Sequence, residues 1–132
     1  MATPIGTWRL RNGLSVEMTD ETKRLFGNYY NVKLIVASSI RVKDEYLSAF
    51  KKNAHYRQIR KKLPSTMEYR REIVMSGAEE ETLSAVKAHM IAKFEENALI
   101  YIEREDFPAR YVKQQFLELE KEFAAQALRE GQ

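Results

Sequence analysis

Residues 29–42, YYNVKLIVASSIRV, constrain the fold more than any other stretch of this chain. The even positions are Tyr30, Val32, Leu34, Val36, Ser38, Ile40 and Val42, and the odd ones are Tyr29, Asn31, Lys33, Ile35, Ala37, Ser39 and Arg41. One face is almost wholly apolar and the other mixed, the period-two pattern of a strand buried on one side. At ~3.3 Å per residue the stretch spans about 46 Å, against about 20 Å for residues 14–19 before it. An antiparallel neighbour of that length satisfies only part of the backbone. The 36–42 end therefore needs a second partner, a bulge near Ser38-Ser39, or an early finish.

The flanking segments supply candidate partners. Residues 7–18 read as a β-hairpin around Asn12-Gly13. A two-residue loop would set Leu10 against Ser15 and Trp8 against Glu17. A three-residue loop, Arg11-Asn12-Gly13, sets Leu10 against Leu14 and Trp8 against Val16, giving one apolar face that ends at Met18. The second register is preferred, with Gly13 in the left-handed position. Residues 19–28, TDETKRLFGN, read as a long polar connection closed by Gly27-Asn28, with Leu25 and Phe26 able to plug an end of the core.

Residues 43–63 have helical composition but a broken stripe. Leu47, Phe50 and Ala54 share one face; Tyr56, Ile59 and Leu63 share another. Either a kink near Asn53 separates two short helices, or one helix is sandwiched between two partners. Pro64 ends the segment. In residues 67–75 Met67, Tyr69, Ile73 and Met75 alternate with polar residues if Arg71 is excused, which favours a strand, while the spacing of Tyr69 and Ile73 also suits a helix. A strand would partner 36–42 within the chain. A helix would leave a free edge at Val36, Ser38, Ile40 and Val42, open to self-association with a second copy.

The remainder reads as two helices. Ser76-Gly77-Ala78-Glu79 has the form of a capping box, and Leu83, Val86, Met90, Phe94 and Tyr101 make an apolar stripe, with Ile91 and Ala98 beside it. Asp106-Phe107-Pro108 ends one helix and starts the next, whose stripe is Val112, Phe116, Leu119, Phe123 and Ala127. The expected fold class is α+β over one domain, 1–132: an antiparallel β-meander of three or four strands in 7–75, packed on one face by C-terminal α-helices in 76–128.

Function is much less constrained. The absence of cysteine removes disulfides, thiolate metal sites and cysteine nucleophiles. His55 and His89 lie far apart in sequence with no metal-ligand spacing, so no metal and no cofactor is expected. No phosphate loop, dinucleotide fingerprint or nucleophile elbow occurs, and the carboxylates fall on helix starts and polar helix faces; no catalytic residue is expected. No signal-peptide pattern opens the chain and no apolar run has membrane length, so a cytoplasmic location is expected. Charge is uneven: residues 41–72 carry ten basic and four acidic side chains, residues 73–132 seven and twelve. Lys51, Lys52, Arg57, Arg60, Lys61, Lys62, Arg70 and Arg71, interleaved with tyrosines, form the candidate nucleic-acid contact. The preferred expectation is a non-enzymatic domain acting through protein contacts, including homodimerisation. RNA binding through residues 51–71, and a small-molecule pocket between sheet and helices lined by tyrosines, are the alternatives.

Gly13-Leu14-Ser15-Val16-Glu17, Asp20, and Phe26-Gly27-Asn28-Tyr29-Tyr30-Asn31-Val32-Lys33-Leu34, with Phe107-Pro108 and Tyr111-Val112 later, form a pattern that resembles small bacterial proteins of unknown function. The resemblance spans most of the chain. It implies a bacterial cytoplasmic protein and transfers no site residue.

Overall fold

The Asn12-Gly13 turn closes as the three-residue loop. Strand β1 (Thr3–Arg9) pairs with β2 (Ser15–Asp20) with Trp8 opposite Val16, the Leu10 N–H donates to the Leu14 carbonyl at 2.9 Å, and Gly13 has φ +89°. This is a computed structural model; it describes residues 2–131. Its fold is α+β, an antiparallel sheet of five strands with C-terminal helices.

Strand β3 (Lys23–Phe26) occupies the segment expected to be a polar connection. Asp20 lies opposite Leu34 and Lys23 opposite Asn31 in the antiparallel ladder with β4 (Tyr29–Arg41), so β2 and β3 hold one register along the same edge of β4. The interruption between them is a turn in which the Asp20 carboxylate accepts the Thr22 N–H at 2.9 Å. Gly27, at φ +54°, makes the tight return into β4. Leu25 and Phe26 plug no core. Both are exposed, with Phe26 against the Tyr29 ring at the hairpin tip.

Residues 67–75 fall within strand β5 (Thr66–Glu79), which pairs with β4. The Val42 N–H donates to the Ser65 carbonyl at one end, and the Glu80 N–H donates to the Asn28 carbonyl at the other. This pairing also corrects the expected helix start. Ser76 to Glu79 stay extended, with Gly77 at φ +82°, and no capping box forms. A short 3₁₀ turn (Glu80–Thr82) precedes α2, the helix Leu83–Glu96. Asn97 then interrupts the single helix expected to carry the stripe from Leu83 to Tyr101, at φ −118° and ψ −74°, before a five-residue helix at Ala98–Ile102.

The chain divides into two compact units. The first, Met1–Ser39 with Glu68–Glu105, holds most of the sheet and helix α2. Its core includes the even residues Val32, Leu34 and Val36 of β4 with Val16 and Met18 of β2, all fully buried, and Met90 and Phe94 of α2. The Trp8 ring meets Phe94 edge-on at 5.3 Å, and a bare glycine at position 6 leaves room for the indole. The second unit, Ile40–Met67 with Asp106–Gln132, contains a 3₁₀ segment (Asp44–Phe50), α1 (Tyr56–Lys62) and the long helix Phe107–Glu130. Here the kink near Asn53 is real. Asn53 accepts the His55 N–H at 2.8 Å through its side chain and donates to Glu120. The two faces of the broken stripe are thereby brought to one helix: Phe116 stacks on Phe50 at 4.7 Å and lies 5.8 Å from Tyr56.

Candidate functional site: the outer strand and the groove beside it

The edge at residues 36–42, which a helix over 67–75 would have left free, is occupied by β5. Lys33 accepts a hydrogen bond from the Glu21 N–H, so odd residues of β4 turn their backbone groups toward β2 and β3, and even residues turn theirs toward β5. Val36, Ser38, Ile40 and Val42 are even and buried, and β5 covers that edge. They cannot serve as a pairing edge for another chain. The outer edge of β5 takes over that position in the sheet. Among the described residues, β4 is the strand that pairs with β5, and most of β5 is exposed.

Alternation sorts the side chains of β5 in two. Glu72 and Ser76 share the face of Asn31 and Lys33: Lys33 lies 3.3 Å from the Glu72 carboxylate, Arg70 lies 3.4 Å from it, and the Ser76 hydroxyl donates to Asn31 at 2.9 Å. Arg71, Ile73 and Met75 lie on the opposite face, toward α2.

Helix α2 is held against the sheet by polar contacts as well as by its apolar stripe. The Lys87 ammonium sits 2.7 Å from the Asp20 carboxylate, and the Trp8 indole N–H donates to Glu95 at 3.2 Å. Burial alone raises the Asp20 carboxyl. Hydrogen bonds from Lys87 and from the Thr22 side chain and backbone, together with the Lys87 charge, outweigh it and hold the group below its ordinary value. Asn97 donates to the Lys93 carbonyl at 3.0 Å, and the turn there redirects the chain into α3 (Ala98–Ile102).

Between β5 and these helices lies a groove of about 540 Å³, within the usual range for small-ligand sites. Met90 and Phe94, both buried, form its floor. Ile73 and Met75 line one side, Ala98 and Tyr101 the other. Arg71, His89 and Lys93 line it as well, and no carboxylate does. A second hollow of about 450 Å³ near Arg11 and Ile100 mixes both charge signs and specifies no ligand.

The candidate nucleic-acid residues separate by element. Lys51, Lys52, Arg57, Arg60, Lys61 and Lys62 belong to the second unit; Arg70 and Arg71 lie on β5 in the first. Arg60 is paired with Asp44 at 2.9 Å, the Lys62 ammonium lies 5.0 Å from the Phe123 ring centre, and Arg70 is paired with Glu72. Tyr56, an expected stacking platform, already packs on Phe116. Of the histidines, His55 stacks on Phe123 and His89 lines the groove. Tyr101 is the tyrosine among the groove residues. Among the described residues no cluster of His, Cys, Asp or Glu is placed to hold a metal ion, and no helix is long and apolar enough to cross a membrane.

The groove was not visible as such in the sequence, but its marker was. Arg71 is the cation that breaks the apolar alternation of 67–75, and its place on the inward face puts it beside the apolar floor. Compared with protein-family models, curated proteins and solved structures, the chain matches none.

Proposed function

We propose that this protein is a non-enzymatic cytoplasmic domain of bacterial type that acts through protein contacts, first of all with a second copy of itself along the outer edge of β5. The observation that carries this reading is the edge itself, fourteen residues long, mostly exposed and without proline. The opposite edge of the sheet is blunted: β1 carries Pro4 and a register irregularity between Pro4 and Gly6. Val74 and Met75, on β5, are large apolar residues left exposed.

Charges on β5 also select a register. Antiparallel self-pairing centred on Arg71 sets Arg70 of each copy opposite Glu72 of the other, and Tyr69 opposite Ile73. Centring on Arg70 instead opposes Arg70 to itself and Glu68 to Glu72. Opposite charges directly across a strand pair contribute roughly 0.2–1 kcal/mol and like charges oppose pairing. The first register carries one like pair, Arg71 with itself, whose long side chains can diverge. The alternation points the backbone groups of Arg70, Glu72 and Val74 outward, where a second strand would meet them.

Light scattering over a concentration series tests the reading. The expected result is a mass rising from one chain to two. Arg70→Glu or Glu72→Arg alone weakens the dimer, and the double exchange restores it. A single-chain mass at every concentration, or a double exchange no better than either single change, overturns the proposal.

A further inference from the structure

We infer that the groove between β5 and α2 binds an amphipathic carboxylate of fatty-acid type, its apolar body on the Met90–Phe94 floor and its head group on Arg71. Ile73, Met75, Met90, Phe94 and Ala98 give the groove a largely apolar surface, so an unbranched hydrocarbon chain is stabilised there by each methylene it removes from water. Its polar groups are cationic or neutral: Arg71, His89, Lys93 and Asn97. Among the described residues Arg71 and His89 make no ion pair, and Lys93 has only a loose 3.8 Å contact with Glu96. A cation beside an apolar surface, with no carboxylate in the lining, complements a ligand that has an apolar body and one negative end.

The head group follows from the cation. A guanidinium offers two parallel N–H donors that match a carboxylate in bidentate fashion. A polyphosphate would call for a nest of backbone N–H groups or a glycine-rich loop, and the groove's lining contains no glycine. Size is consistent too. The groove's 540 Å³ falls in the ~300–1,000 Å³ range of small-ligand sites, which suits a twelve-carbon carboxylate of fourteen non-hydrogen atoms.

The chain carries its own reporter. Trp8 is its one tryptophan, and its ring touches Phe94 on the groove floor. Titration of the purified protein with dodecanoate below its micelle concentration, followed by tryptophan fluorescence and calorimetry, is expected to show saturable binding. Dodecanol binds more weakly. Arg71→Met lowers dodecanoate affinity by about tenfold and leaves dodecanol binding unchanged. Ala98→Trp, which fills the groove, abolishes both, with circular dichroism confirming the fold of each variant. Absence of saturable binding, equal affinity for acid and alcohol, or an Arg71→Met variant with unaltered acid binding overturns the inference. Light scattering on the same samples reads the self-association separately, so either proposal can fail alone.

Discussion

Asp20 shows how one side chain can hold two elements. It caps the turn between β2 and β3 and reaches the Lys87 ammonium on α2. Its carboxyl is held below the ordinary value of 3.8. A depressed carboxyl favours the folded state above the unfolded-state value, and that contribution is lost as pH falls through the folded-state value. Acid should therefore erode stability below about pH 3.9 partly through this group. Asp20→Asn keeps the turn's acceptor and removes the charge. Urea unfolding at a series of acid pH values is expected to show a shallower pH slope in the variant than in the parent. Equal slopes would mean that Asp20 takes no part. Ser38 is the contrasting residue: it is buried in the apolar face of β4, and among the described residues its hydroxyl has no partner. Ser38 stood out in the sequence as the polar member of an apolar face, whereas Asp20 was one residue of the polar connection 19–28. Neither burial nor partners were legible there, because both depend on elements distant in the chain.

Turn chemistry at Asn12 was legible, and its larger role was not. The side chain accepts the Leu14 N–H at 3.1 Å, as a local turn requires. Its amide also donates to the carbonyls of Ile102 and Arg104, at 2.7 and 2.9 Å, closing the end of α3. Sequence alone treats Asn-Gly and Asp-Gly as equivalent hairpin turns. The structure separates them, since a carboxylate at position 12 would face two carbonyl oxygens with no proton to offer. Asn12→Asp is expected to lower stability by about 1–3 kcal/mol, read from the urea midpoint. A variant as stable as the parent would assign the residue to the turn alone. Other elements follow the same division. The broken stripe of 43–63 left two readings open, and the structure takes the one with two short helices, whose break at Asn53 lets both faces reach Phe116. The missed strand β3 is only four residues long and exposed at each of them, so no alternation in burial could announce it.

At the scale of the whole molecule, the period-two face of β4 was legible because it follows from burial within one strand. The division into two units was not, since the stripe of Phe107–Glu130 reads alike whichever apolar surface receives it. The length of β4 raised the question of its second partner, and β5 answers it while passing the unpaired edge outward by one strand. An edge that pairs between copies ties stability to concentration, because anything that binds the folded chain alone raises its unfolding midpoint by mass action. The thermal midpoint of the parent is therefore expected to rise by roughly 2–5 °C for each tenfold increase in concentration. Val74→Pro removes an outward N–H that the ladder with β4 does not use. It should abolish the concentration dependence while leaving the dilute midpoint within a few degrees of the parent. A parent midpoint independent of concentration excludes pairing along β5. A proline variant that keeps the dependence places the contact elsewhere, and the exposed Leu25, Phe26 and Tyr29 at the β3–β4 tip are then the surface to mutate next.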